Sequence, residues 1–258
     1  MASTPEQRVL DIDGYPVGYT VGGDGPPLLF LHGEADTSGW RSCHDELARN
    51  FRVIAPVHPG FGTSELPDWL DDVDDLAFHY VDLIAALGLT RPVIVGESLG
   101  GWIALSLGIH RPDLLAGVAL VGALGLRGDP PMPDLFLMEP PNALAMLSDR
   151  LGGERYNALT GDTDLLTNLW VEQAAQARLM WERPYDRRLA RRAHHLTCPA
   201  LVIWGQNDRL LPVAHGARLA ALVGAAPPTV VAGSGHLVSI DAPAELGQAV
   251  TNWRNDRS

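Results

Sequence analysis

The sequence has few cysteines, a shortage of basic residues and no long hydrophobic run. Its two cysteines, Cys43 and Cys198, exclude a disulfide framework and fit a reducing compartment. The 31 acidic residues outnumber the 19 Lys and Arg residues, and the resulting net charge of −12 disfavours nucleic acids and anionic membranes as partners. The longest apolar stretch, Leu114–Leu126, is shorter than the roughly 20 residues that a transmembrane helix needs.

The sequence also lacks the short motifs that hold metals and nucleotides. It contains no H-E-x-x-H, no C-x-x-C and no G-x-G-x-x-G, so we expect no metal and no cofactor. The N-terminal residues, MASTPEQRVL, include no apolar segment of the kind that a secretory signal carries. We therefore expect a cytoplasmic protein whose partner is a small-molecule substrate, with no nucleic-acid or membrane partner. Its oligomeric state stays open.

The order of the predicted elements indicates an α/β fold. A β-hairpin is predicted at the Asp13-Gly14 turn, and strands then alternate with helices. Such alternation is typical of a mostly parallel central sheet with helices on both faces. It stops between Gly125 and His195, where amphipathic helical stretches follow one another without a strand-like run. Two last strands are predicted at Pro199–Gly205 and Thr229–Ala232.

The stretch Pro92–Gly101, PVIVGESLGG, carries the most chemical information. An apolar, β-branched strand runs directly into the G-x-S-x-G pattern that has Ser98 at its centre. At such a turn from strand to helix, glycines two residues on either side avoid collisions with neighbouring elements, and the serine hydroxyl is held clear of the backbone. We therefore predict that Ser98 is a nucleophile and not part of an ordinary tight turn.

Two later strand ends provide the partners that a serine nucleophile needs. Asp208 follows the predicted strand Pro199–Gly205, and His236 follows the strand Thr229–Ala232. Because the carboxyl ends of parallel strands share one edge of a sheet, we expect Ser98, Asp208 and His236 to meet there. A base activates the serine and an acid orients the base, so this set predicts a catalytic triad.

These motifs, in the order Ser, Asp, His, resemble the α/β-hydrolase superfamily over nearly the whole chain, from about Arg8 to Trp253. Further segments that match the superfamily are His32-Gly33, His58–Ser64, Trp204–Asp208 and Gly235-His236. Val57 departs from the pattern, since relatives often have an aspartate there. That aspartate usually supports a loop, so the departure leaves the triad prediction intact.

The resemblance implies an α/β-hydrolase fold with a helical cap inserted before the last two strands. The core domain would comprise residues 1–124 and 196–258, and the cap residues 125–195. Apolar cap side chains would line a pocket for a mainly apolar substrate. The candidate pocket residues are Phe136, Trp170 and Met180.

The resemblance also implies an oxyanion hole formed by two backbone N–H groups. One belongs to Leu99 at the start of the helix after Ser98, and the other to Glu34, the residue after His32-Gly33. A carboxylate beside a developing oxyanion is electrostatically unfavourable. We expect the Glu34 side chain to turn away from the site, although an orientation into the pocket, against the substrate, is the alternative.

The function that follows is a cofactor-free serine hydrolase, cleaving a carboxylic ester, lactone or thioester through an acyl-enzyme on Ser98. A carbon–carbon bond hydrolase acting on a vinylogous diketone is an alternative, because Leu99–Ala104 also resembles those enzymes. Against it, Glu34–Ser38 replaces their glycine-rich oxyanion loop. Another alternative is a non-catalytic member of the fold that binds a small molecule, although the full triad disfavours it. Haloalkane dehalogenases and epoxide hydrolases are excluded, since they use an aspartate nucleophile.

Overall fold

The computed structural model describes residues 4–34, 39–62, 64–148, 150–151, 163–180 and 183–257. Its strands are β1 (Glu6–Ile12), β2 (Tyr15–Gly22), β3 (Pro27–Leu31), β4 (Arg52–Pro56), β5 (Val93–Glu97), β6 (Gly117–Val121), β7 (Ala200–Gly205) and β8 (Thr229–Val231). They form one eight-stranded sheet in the order β1-β2-β4-β3-β5-β6-β7-β8.

In the order of the sheet, all pairs from β4 to β8 are parallel, and β2 is the one strand that runs in the opposite direction. β2 pairs antiparallel with both β1 and β4. The β1–β2 hairpin turns at Asp13 and Gly14, whose positive φ angles of 53° and 88° suit the tight turn that the dipeptide predicts. The predicted hairpin and mostly parallel sheet are therefore confirmed.

Helices cover both faces of this sheet. Outside the segment that joins β6 to β7, the structure has α1 (Ser42–Ala48), α2 (Val73–Ala86), α3 (Leu99–His110), α7 (Val213–Leu222), α8 (Val238–Asp241) and α9 (Pro243–Asn255). Buried side chains of α2, α3 and α7 form the core on one face, and those of α1 and α9 form it on the other. β3 shows the division, since Leu29 and Leu31 belong to the first core and Leu28 and Phe30 to the second.

The segment between β6 and β7 is helical, with α4 (Pro140–Leu147), α5 (Thr163–Leu179) and α6 (Leu189–Arg192). Among its described residues, β-pairing is limited to an isolated bridge between Gly125 and Tyr185. The end of α4 lies beside the loop after β8, where the Leu237 N–H donates to the Leu147 carbonyl at 3.0 Å. None of the helices in the described ranges is long and apolar enough to cross a membrane. The limits of the cap, residues 125 and 195, stay a prediction.

Candidate active site

Ser98 lies at the sharp turn between β5 and α3, with φ of 53° and ψ of −112°. Glycine is required on both sides of it. A Cβ atom added at Gly96 would lie 2.2 Å from the Gly100 carbonyl oxygen, and one added at Gly100 would lie 2.1 Å from the Leu31 carbonyl oxygen. The backbone therefore holds the serine in an unfavourable conformation that the packing of β3, β5 and α3 fixes.

The structure brings the three predicted triad residues together. The Ser98 Oγ atom lies 2.7 Å from His236 Nε2, and His236 Nδ1 lies 2.8 Å from Asp208 Oδ2. The other carboxylate oxygen, Oδ1, accepts the N–H groups of Leu210 at 2.9 Å and Leu211 at 2.8 Å. Because Asp208 Oδ2 accepts a hydrogen bond from the His236 ring, the neutral ring has its proton on Nδ1. The unprotonated Nε2 is then free to accept a hydrogen bond from the serine hydroxyl.

Carboxylates surround the buried imidazole of His236. Burial lowers its pKa, but the negative charges of Asp208, Glu34 and Glu97 outweigh burial and raise the pKa to about 9. Glu97 directly precedes the serine, and its carboxylate accepts the N–H of Ser239 at 2.8 Å as well as the Ser239 hydroxyl. Burial raises the pKa of Glu97 too. The base thus sits in a site that favours its charged form.

The side chain of Glu34 enters the site, so the expectation that it turns away is wrong. Glu34 is one of the residues that line the cavity, and its two carboxyl oxygens are themselves buried, without a completed hydrogen bond to any residue that the structure describes. Burial raises the pKa of this carboxyl, whereas His236, the Ser98 hydroxyl and the Leu99 N–H act to lower it. The cause is a tight loop: a Cβ added at Gly33 would lie 3.1 Å from Ser98 Cβ, so the next residue begins within reach of the serine.

A buried histidine pair holds this loop against the serine turn. The His32 ring donates from Nδ1 to the Gly33 carbonyl at 2.8 Å and accepts the His58 N–H on Nε2 at 3.0 Å. The His58 ring donates from Nε2 to the His32 carbonyl at 2.9 Å and accepts the Tyr80 hydroxyl on Nδ1. Burial lowers the pKa of His58 to about 3, so both of its ring roles belong to the neutral form. The His32 carbonyl also accepts the Gly100 N–H at 3.1 Å, which ties the two loops together.

A cavity of about 570 Å³ lies between the strand ends and the segment from β6 to β7. Ser98 is buried and is not among its lining residues, but Leu124, which lines the cavity, donates its N–H to the Ser98 carbonyl at 3.1 Å. Glu34 stands at the catalytic end, and Leu210 and Leu211 contribute the wall next to Asp208. Two of the predicted pocket residues, Phe136 and Met180, line it. Other apolar residues of the lining are Leu124, Leu126, Pro131, Met132, Leu135 and Pro184.

Trp170 does not line this cavity, which corrects the prediction made for it. The side chain is 65% exposed on the outer side of α5. The buried positions of that helix, Glu172, Ala175, Gln176 and Leu179, follow the spacing of one helical face. At about 100° per residue, Trp170 points almost opposite to Glu172. The presence of an aromatic residue at position 170 therefore indicated neither that its side chain is buried nor that it contacts the site.

Within the described ranges, no group of three or more His, Cys, Asp and Glu side chains is arranged to hold a metal ion. The site's reactive groups are the serine hydroxyl, the imidazole and the carboxyls of Asp208 and Glu34. Such a set supports nucleophilic attack with proton transfer to a neighbouring base. Sequence reasoning missed Tyr80 and Glu97, because Tyr80 belongs to no motif and Glu97 occupies a variable position of G-x-S-x-G.

The fold, the strand-to-helix serine and the triad geometry define an α/β-hydrolase. The model of the Alpha/beta hydrolase family matches residues 28–249, and the chain belongs to that family. Hydrolysis is accordingly the class of reaction that the family supports.

The chain is similar to an uncharacterized protein, to a named hydrolase and to a solved phospholipase. An uncharacterized protein of Mycobacterium tuberculosis is 28% identical, covering 94% of this chain and 79% of the relative. The 2-hydroxy-6-oxo-6-(2'-aminophenyl)hexa-2,4-dienoic acid hydrolase of Metapseudomonas resinovorans is 26% identical, covering 98% of this chain and 92% of the relative. A solved membrane phospholipase A has a TM-score of 0.83 at 21% identity, covering 98% of this chain and 86% of the other, and thereby supports the fold.

Proposed function

We propose that the protein is a cofactor-free serine hydrolase that cleaves a carboxylic ester, or a lactone or thioester, of a small and mainly apolar molecule. The observation that carries the proposal is the hydrogen-bonded chain from Ser98 through His236 to Asp208. Each link has the length of an ordinary hydrogen bond, and each group can take the role that acyl transfer demands of it.

The reaction would begin with attack of Ser98 Oγ on the acyl carbon. A bond forms between these atoms, the carbonyl electron pair moves onto oxygen, and the serine proton moves to His236 Nε2. The N–H groups of Leu99 and Glu34 are the proposed backbone donors to the resulting oxyanion. When the tetrahedral intermediate collapses, His236 returns the proton to the leaving alcohol, and water then releases the acyl group by the same steps.

The lining of the cavity supports an apolar acyl group. Apart from Glu34, the walls near the serine come from side chains such as Leu124, Leu210 and Leu211. Binding sites for small molecules typically combine such walls with a few polar groups that fix orientation. In this proposal, the segment from residue 125 to residue 195 is the cap that encloses the substrate above the strand ends.

The test combines covalent labelling with turnover. A fluorophosphonate probe is expected to label the purified protein at Ser98, with the site identified by peptide mass spectrometry. p-Nitrophenyl acetate is expected to be hydrolysed by the native protein and not by Ser98→Ala. Absence of labelling at Ser98, or equal turnover by the variant, contradicts the proposal.

Carbon–carbon bond hydrolysis is the second candidate, because several relatives carry names of such hydrolases, including a 2-hydroxymuconate semialdehyde hydrolase of Pseudomonas that is 28% identical. Part of the loop that replaces their glycine-rich segment, residues 35–38, lies outside the described residues. A panel of esters, lactones and vinylogous diketones separates the candidates by comparing kcat/KM. A protein that binds panel members without turning any over would belong to the third, non-catalytic class.

A further inference from the structure

The carboxyl of Glu34 is the unusual group of this site. The residue is 7% exposed, and both side-chain oxygens are buried without completing a hydrogen bond to another described residue. Nevertheless the Ser98 hydroxyl and the Leu99 N–H approach it closely enough to influence its ionisation. These are the two groups that an acyl carbon and its oxygen would contact, so a bound substrate has to share space with this carboxyl.

An ionised Glu34 would oppose the proposed chemistry. Negative charge develops on the carbonyl oxygen as Ser98 attacks, and a carboxylate nearby repels it. Two unit charges about 4 Å apart, at an effective dielectric constant of about 20, repel enough to slow a reaction on the order of a thousandfold. A buried anion without hydrogen-bond donors is unfavourable even in the free protein. The ionisation state of Glu34 therefore decides whether the site works.

We propose that Glu34 works in its protonated form, donating a hydrogen bond from its carboxyl group to the carbonyl oxygen of the bound substrate. The inference rests on the proposed function, since it requires acyl chemistry at Ser98. A carboxylic acid in a site that disfavours its charge can stay protonated at neutral pH and serve as such a donor. Burial, which raises the pKa of Glu34, acts in this direction.

One proton would be held jointly by Glu34 and His236. The negative charge of Glu34 contributes to the raised pKa of His236, so that rise belongs in part to the arrangement with an ionised Glu34. In the active arrangement the proton resides on the Glu34 carboxyl, and the imidazole is neutral and ready to accept the proton of Ser98. Among the described residues, Asp208 and Glu97 add negative charge around the imidazole. The other charged residues that line the cavity are Arg127, Asp134 and Arg183.

The step balances without a further reactant. The Oγ–carbon bond forms, the carbonyl electron pair moves to oxygen, and the proton of Ser98 passes to His236 Nε2. The proton of Glu34 stays on its own oxygen throughout and only shares a hydrogen bond with the oxyanion. Loss of that proton at high pH turns the donor into a repelling charge, so activity should fall there.

The pair of variants Glu34→Gln and Glu34→Ala tests the proposal with p-nitrophenyl acetate across pH. Glutamine at position 34 keeps a hydrogen-bond donor and cannot ionise, whereas alanine has no side-chain donor. We expect kcat/KM of the alanine variant to lie on the order of a hundredfold below that of the glutamine variant. The native protein should lose activity at both low and high pH. Glu34→Gln should lack the fall at high pH and should keep the fall at low pH close to its native position, because the protonated Glu34 of the native protein carries no charge there either.

Glu97→Gln is the matched control, because it removes a second buried carboxyl near His236 that does not line the cavity. It should shift the low-pH fall and keep the high-pH fall. The proposal is overturned if Glu34→Ala matches or exceeds the native rate, if Glu34→Gln loses as much as Glu34→Ala, or if Glu97→Gln abolishes the high-pH fall. Fluorophosphonate labelling of Ser98 in each variant separates these outcomes from failure of the nucleophile assignment, and thermal melting verifies folding.

Discussion

Asp208 uses its two carboxylate oxygens differently, and the proposed chemistry depends on that difference. Oδ2 faces the His236 ring, while Oδ1 accepts the N–H groups of Leu210 and Leu211. These two N–H donors require an oxygen atom at the Oδ1 position of residue 208. An amide placed here would keep its oxygen toward the leucines and turn its NH₂ toward the imidazole.

We therefore expect Asp208→Asn to fold normally and to lose on the order of 10⁴-fold in kcat. The NH₂ group would oblige Nδ1 of His236 to accept a hydrogen bond, which places the ring proton on Nε2 and removes the base from Ser98. Single-turnover hydrolysis of p-nitrophenyl acetate measures the loss. A decrease of less than tenfold would mean that Asp208 is not the orienting acid.

Ser98→Ala should lower kcat for ester hydrolysis by several orders of magnitude. Adding His236→Ala should lower kcat only slightly further, because nucleophile and base act as a unit. The measurement is kcat for both single variants and the double variant. Losses that multiply would show that the two residues act independently.

The sequence permits prediction of some residues of this site and not of others. Ser98, Asp208 and His236 are predictable because each follows a strand whose carboxyl end lies at the same edge of the sheet. The orientation of Glu34 depends on how Gly33 packs against Ser98, a contact between distant parts of the chain. Tyr80 lies on an amphipathic helix, where a buried aromatic residue is common. Nothing in the sequence around it therefore predicts its hydrogen bond to His58.

At the scale of elements, the helix α5 contributes two different surfaces. It spans Thr163–Leu179, inside the segment between Gly125 and His195 for which the sequence predicts amphipathic helices. Met180, directly after its last residue, lines the cavity, whereas Trp170 faces solvent. The pattern of apolar residues predicted that this helix exists. Because large apolar side chains occur on both of its faces, the pattern did not identify which face lies toward the site.

Met180→Ala should raise the preference for long acyl chains, because removing most of a side chain that lines the cavity enlarges the cavity. Phe136→Ala is expected to act in the same direction. For p-nitrophenyl esters from acetate to octanoate, the ratio of kcat/KM between long and short chains should change by roughly 10-fold. Trp170→Ala is the control and should leave the ratio unchanged. An unchanged profile in Met180→Ala, together with a large fall in melting temperature, would assign Met180 to the hydrophobic core.

At the scale of the whole molecule, burial of neutral histidines couples stability to pH. Burial lowers the pKa of five of them: His32, His44, His58, His79 and His215. Their pKa values in the folded protein lie below the ordinary 6.5, so the unfolded chain binds more protons as the pH falls. Their contribution to stability is complete above pH 6.5 and is lost as the pH falls toward about 4, the value for His79 and His215.

We expect each such histidine to lower the free energy of unfolding by about 2 kcal/mol between pH 7 and pH 5. Glu34 and Glu97 oppose this change, because burial raises their pKa and the folded protein binds their protons more tightly than the unfolded chain. Urea unfolding at both pH values measures the net change. His79→Gln should reduce the decrease by about 2 kcal/mol, whereas His194→Asn, at an exposed position, should not change it. An unchanged pH dependence in His79→Gln would show that the His79 ring is charged or reached by water.

The fold as a whole is predictable from the sequence because alternating strands and helices leave few arrangements. The confirmed parts are the antiparallel hairpin and the parallel strands that follow. Strand order was not predictable, since β4 lies between β2 and β3 only through long-range packing.

The loop after β7 has a consequence for engineering this protein. Leu210 and Leu211 line the cavity with their side chains while their N–H groups hold Asp208. A mutant library at these two positions would vary substrate fit and base orientation at once, and most gains in selectivity would be masked by slower chemistry. Randomising Phe136 and Met180 instead varies the shape of the cavity at a distance from the triad. Directed evolution toward new esters should therefore begin on the helical side of the cavity.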